Sequence, residues 1–90
     1  MDFLHTEFHG GNDDVVLVTL DSQANVMLLD DINFSAYRDG RSFNYFGGWA
    51  TKSPTRLVPP HGSHWHVVVD LGGASGTVRA SIRIVRLQSV

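Results

Sequence analysis

The 90-residue chain contains no cysteine. That excludes disulfide stapling and thiolate metal clusters, so the fold must hold itself together by packing, and it fits a reducing compartment. Long apolar runs are missing as well. The longest, Val15–Val18 and Val67–Val69, fall far short of the roughly 20 residues that cross a bilayer as a helix. A basic excess is also lacking: seven Lys and Arg stand against nine Asp and Glu, for a net charge of −2. A nucleic-acid binder needs cations to displace counterions from phosphates, so that partner class is not expected. The opening MDFLHTEFHGGNDD has neither the cationic start nor the apolar stretch of a secretory leader. A cytoplasmic protein with no membrane partner is the expectation.

Hydrophobic content of 42% with 18% charged residues is that of a globular chain, and a length of 90 residues suffices for one core. A single domain over 1–90 is expected. Periodicity favours strands. Asp14–Asp21 (DVVLVTLD) is short and β-branched, and Ala24–Leu29 reads as its hairpin return across Ser22–Gln23. In residues 30–40 (DDINFSAYRDG) Asp31 or Asn33 can cap a helix start and Gly40 can end a turn. The span holds room for about one helical turn, so a compact loop packed by Phe34 and Tyr37 is expected rather than a helix. Pro54, Pro59 and Pro60 limit Thr55–Val58 to an edge strand or an extended crossing segment. His64–Leu71 and Thr77–Leu87 are the clearest strands, joined by a glycine-rich link that reads as a hairpin turn. In the last, Val78, Ala80, Ile82 and Ile84 alternate with Thr77, Arg79, Ser81 and Arg83. Phe3–Phe8 supplies one more strand, with Phe3 against the core. The fold class that follows is all-β: a small antiparallel β-sandwich, or a barrel-like closure of it, with at most one short helical turn.

Within HGSHWHVVVDLGG (61–73), alternation puts Trp65, Val67, Val69 and Leu71 on one face and His64, His66, Val68 and Asp70 on the other. Imidazole and carboxylate are ligands for zinc, iron or manganese, so His64, His66 and Asp70 form a candidate metal set, with His61 nearby in a loop. The spacing is similar to part of the first cupin motif, but no histidine follows His66 to complete that fold's second motif. The competing reading has both histidines facing water on a wet strand and Asp70 paired with an arginine across the hairpin. It outweighs the metal one on residues alone, and no cofactor is expected.

Nucleophilic catalysis has little to stand on: no serine lies in a nucleophile-elbow context. Gly72–Gly76 lacks the lysine and following helix of a phosphate-binding loop. Asp30, Asp31, Asn33 and Asp39 lack calcium-loop spacing. The aromatic stretch SFNYFGGWAT is more suggestive. Core packing is the default expectation for these rings in so small a domain. As the alternative, Tyr45, Gly47, Gly48 and Trp49 make a candidate ligand-binding patch for a protein or a small polar ligand, because rings not consumed by the core can serve as a platform.

Four stretches, QANVMLLDDINFSAYRDG, FGGWATKSP, HWHVVVDLGG and GTVRASIRI, resemble a bacterial family known as domain of unknown function 1883. The resemblance covers nearly the whole chain. It implies an all-β, sandwich-like bacterial domain, found alone or ahead of Toll/interleukin-receptor-type signalling domains. It brings no activity, cofactor or site residue. The function expected is therefore a non-enzymatic, sensor-like binding module, with a metal-dependent enzyme of cupin-like character as the alternative.

Overall fold

A computed structural model describes residues 3–72, 76 and 78–86. Seven strands and one helix follow in chain order. They are β1 (Leu4–Gly10), β2 (Asp14–Leu20), β3 (Ala24–Asp30), α1 (Asp31–Arg38), β4 (Phe46–Ala50), β5 (Thr55–Leu57), β6 (Ser63–Asp70) and β7 (Ala80–Arg86). One sheet has the order β1-β6-β3-β4 and the other β5-β2-β7, all antiparallel. The sheets pack face to face as a sandwich. Among the described residues no helix is long and apolar enough to cross a membrane.

Alternation explains the inner layer. Ala24, Val26 and Leu28 of β3 meet Trp65, Val67 and Val69 of β6 and Val16 and Val18 of β2, all at most 1% exposed. Phe8, Ala80 and Ile82 close the rim. Trp65 is the largest of these side chains, and its indole N–H donates to the His61 carbonyl at 3.1 Å, so its one polar atom is satisfied. The expected inward set on 64–71 and the edge position of β5 both stand. In β7, Ala80 and Ile82 pack inward while Ser81 and Arg83 are exposed; Ile84 departs from the pattern at 36% exposure. Thr77, Leu87 and Gly73–Ser75 of the expected strand and turn lie outside the described residues.

Several expectations change. β2 and β3 do not form a hairpin, because Asp21–Gln23 carries the chain from one sheet to the other. No glycine stands there to make a tight primed turn. Instead the Asp21 amide donates to the Arg79 carbonyl, and the Arg79 amide to Asp21 Oδ1, tying β2 to β7. β6 and β7 likewise belong to opposite sheets, so the segment between them is a sheet-to-sheet crossing.

The third change is the helix. α1 runs for eight residues rather than one turn. Its N-cap is Asp30, whose carboxylate accepts from the Asn33 amide at 2.9 Å. Phe34 and Tyr37, three apart and therefore on one face, lie on the outer surface of the four-stranded sheet against Met27, Leu29 and Val68. Phe3 packs on this second cluster rather than in the inter-sheet core. Strands β3 and β6 are thus dry on both faces, and each buried aromatic contributes about 1.5–3 kcal/mol.

Asp70 sits under this helix at 4% exposure. It accepts from the Tyr37 hydroxyl at 2.6 Å, the Asn25 amide at 3.0 Å and the Gly72 backbone N–H at 2.8 Å. These replace the arginine expected across a hairpin. Burial, and after it the Asp70 carboxylate, push the Tyr37 hydroxyl well above the usual tyrosine range, so it stays a donor.

Two outcomes follow. Trp65→Ala lowers stability by about 3–5 kcal/mol in urea denaturation. Tyr37→Phe leaves Asp70 a donor short and costs about 1–3 kcal/mol at pH 9. Unfolded tyrosine ionises near pH 10 while folded Tyr37 holds its proton, so wild-type stability is intact below about pH 10 and falls as pH rises above it. The gap between the two proteins therefore narrows when the urea midpoints are measured again at pH 11.

Candidate functional site

Pairing of β1 with β6 decides what stands on the outer face beyond the helix. The register sets His5 opposite Val68, Glu7 opposite His66 and His9 opposite His64. Each of these β1 residues is an outward partner, since Phe8 lies opposite Trp65 and both face the core. Helix α1 begins immediately after β3 and delivers Asp31, in its first turn, to the same place. Four of the five histidines and two carboxylates thereby meet on one patch. The fifth, His61, tilts against Trp65 instead.

The contacts form a closed circuit of five side chains. Asp31 Oδ1 lies 2.6 Å from His66 Nε2 and 2.7 Å from His64 Nδ1. His64 Nε2 lies 3.2 Å from Glu7 Oε1. Glu7 Oε2 is 3.9 Å from His5 Nε2, which is 2.8 Å from His66 Nδ1. A carboxylate only accepts, so His66 Nε2–H and His64 Nδ1–H both donate to Asp31. A neutral His66 then accepts at Nδ1 from His5 Nε2–H.

Ring stacking fixes the orientations. His66 and His5 both lie over Phe34, with centroids at 4.3 Å and interplanar angles of 5° and 14°. His9 stacks on His64 at 4.6 Å. His66 is only 6% exposed, whereas the His5 and His64 side chains are about a quarter exposed (25% and 26%). A concavity of about 360 Å³ that takes in His5, Glu7, Asp31 and His66 gives access from solvent.

Electrostatics agree with this layout. The hydrogen bond from His66 holds the Asp31 carboxyl below its ordinary value, outweighing the opposing effect of lost solvent, and His64 adds to it. Burial first of all, and after it repulsion from His66 whenever that ring takes up a proton, hold His5 below the ordinary imidazole range. The patch is thus built around an ionised Asp31 and a neutral His5.

Two overlapping sets have metal-ligand geometry: Asp31, His64 and His66, and His5, Glu7 and His66, each with donor atoms within 4.8 Å of one another. The structure therefore brings His64 and His66 together, and sets Asp31 where the sequence pointed to Asp70. The histidines are partly covered rather than facing water. His5, Glu7, His9 and Asp31 were not singled out from sequence as site residues. The signal for three of them was there: LHTEFH repeats in β1 the period-two polarity of SHWH in β6.

The aromatic patch lies elsewhere, on edge strand β4. Tyr45, Phe46 and Trp49 are about half exposed (47%, 50% and 50%), and the Trp49 indole N–H donates to Gln23 Oε1 at 3.2 Å. Phe46 turns its edge to Trp65, 6.0 Å between centroids. Gly47 and Gly48 have φ of 109° and 146°, and a Cβ at Gly47 would collide with the Val26 carbonyl oxygen.

The family model described as domain of unknown function (DUF1883) matches residues 1–88. The chain belongs to that family. No curated protein and no solved structure matches the chain.

Because Tyr45 and Trp49 already face solvent over half their surface, their joint replacement by alanine changes stability by no more than about 1 kcal/mol. Circular dichroism and urea denaturation of the double variant check this. A loss of several kcal/mol would place the rings in the core.

Proposed function

We propose that the chain is a non-enzymatic binding module of the bacterial cytoplasm, and that the species it binds is a divalent first-row metal ion held by Asp31, His64 and His66. One observation carries the reading. A single carboxylate oxygen lies 2.6 and 2.7 Å from nitrogens of two histidines on the same strand face. Two imidazole nitrogens and one carboxylate oxygen make a donor set suited to zinc, manganese or iron. An ion with bonds of about 2.0–2.2 Å takes the place of the two hydrogens these groups share, which move to His66 Nδ1 and His64 Nε2, with a small outward shift of Asp31. Asp31 is well suited to that shift, since its side chain is 63% exposed.

Binding is favoured over catalysis because the five circuit side chains are engaged with one another, and His9 stacks on His64. None stands apart as a base or nucleophile. A sensor-like role, in which occupancy stiffens the joint between β6 and the start of α1, follows from where the ligands sit. A second reading, a macromolecular or small polar ligand at Tyr45, Gly47, Gly48 and Trp49, draws on the half exposure of the two rings.

The test uses chain purified without a histidine tag and stripped with chelator. Zinc titrated by calorimetry binds and raises the thermal midpoint. Asp31→Ala and His64→Ala each weaken binding by more than about 100-fold, because even outer-shell changes at metal sites cost about 10–100-fold. Asp70→Asn lowers stability and leaves zinc affinity unchanged. Failure of the wild type to bind zinc, manganese or iron ends the metal reading.

A further inference from the structure

His66 presents its two ring nitrogens to different donor sets. Nε2 faces Asp31 at 2.6 Å, with His64 on the far side of that carboxylate. Nδ1 faces His5 Nε2 at 2.8 Å, and the Glu7 carboxylate lies beside that same His5 nitrogen. Each set meets the spacing of a metal triad, and His66 is the residue common to both.

Packing holds the ring in this two-way pose. His66 and His5 share the face of Phe34 and lie within 15° of coplanar. Their in-plane lone pairs are thus directed into the same narrow gap. A swivel of His66 that served only one donor set would break the stack and bury a polar edge against Leu29, its neighbour across the sheet.

We propose that His66 bridges two divalent ions, Nε2 holding one with Asp31 and His64, and Nδ1 holding a second with His5 and Glu7. This rests on the metal-binding reading above and extends it. A neutral imidazole has one nitrogen lone pair in its plane, so bridging requires His66 to release its N–H proton to solvent and act as imidazolate. His5 coordinates through Nε2 once its hydrogen has moved from that nitrogen to Nδ1. Two carboxylates and one imidazolate bring three negative charges to four positive ones. The charge left uncompensated in a partly buried place is then one, where a lone imidazolate or a lone pair of dications would be far more costly. The second ion has an open rim comparable to that of the first, since the Glu7 and His5 side chains are 55% and 25% exposed against 63% and 26% for Asp31 and His64. Water completes its shell there.

The experiment counts ions. Metal-free wild-type chain takes up two equivalents of zinc, measured by elemental analysis after gel filtration. His5→Gln takes up one, with the affinity of the remaining site retained. His66→Gln takes up neither, and circular dichroism confirms that it folds. Copper(II) gives an arm that needs no variant: an imidazolate bridge couples the two unpaired spins, so the integrated paramagnetic resonance signal at two equivalents falls below that at one. One equivalent in the wild type, two in His5→Gln, or a copper signal that doubles at the second equivalent would overturn the bridge. No uptake of any metal would instead remove the metal reading on which it stands.

Discussion

Strand β6 is packed from both sides, and most of the molecule is arranged around that fact. Its inward residues Trp65, Val67 and Val69 are locked into the inter-sheet core. Its outward Val68 is covered by Phe34 and Tyr37 of α1. One buried face already fixes the register of a strand, because a one-residue slip would turn its apolar side chains outward; cover on the second face holds the outward side chains as well. The position of His66 is fixed by this, and so are its two nitrogens. The same cover turns Asp70 from a surface charge into a buried acceptor with three donors.

The two ends of the outer sheet face divide the work. At one end Tyr37, Asp70 and Asn25 form a network in which the carboxylate is fully served by neighbours. At the other, five polar side chains contact each other across β1, β6 and α1, and Asp31 and Glu7 are the most exposed of them. A carboxylate with three donors on dry ground stabilises. A circuit whose carboxylates lie at an exposed rim stays in contact with solvent. The contrast is why Asp31 and not Asp70 belongs with the histidines, although Asp70 lies on their own strand.

Much of the architecture was legible in the sequence, and what was missed has a common cause. The period-two alternation of HWHVVVDL fixed which residues face inward, and the prolines marked β5 as an edge. The stretch DINFSAYR gave a weak helix signal because Ile32, Asn33, Phe34 and Tyr37 are poor helix formers, and the helix owes its stability to the sheet beneath it. Partner choice was not legible at all. β2 and β3 are three residues apart yet join different sheets, while β1 and β6 are separated by most of the chain and pair along seven residues. The site inherits that difficulty: His5 and Glu7 meet His66 through a pairing that no local pattern encodes. Same-strand spacing could suggest His64 with His66; it could not supply Glu7 or Asp31.

The glycine pair in β4 has an effect on how the molecule behaves in a crowd. β4 closes one side of the four-stranded sheet and carries half-exposed Phe46 and Trp49, a combination that in a flat strand would recruit other chains. With φ of 109° and 146° at Gly47 and Gly48, the backbone there departs from the extended path. Its outward amides and carbonyls no longer make an even row. An incoming strand would find no even row to pair with, so the exposed rings of this edge do not come with a template for aggregation.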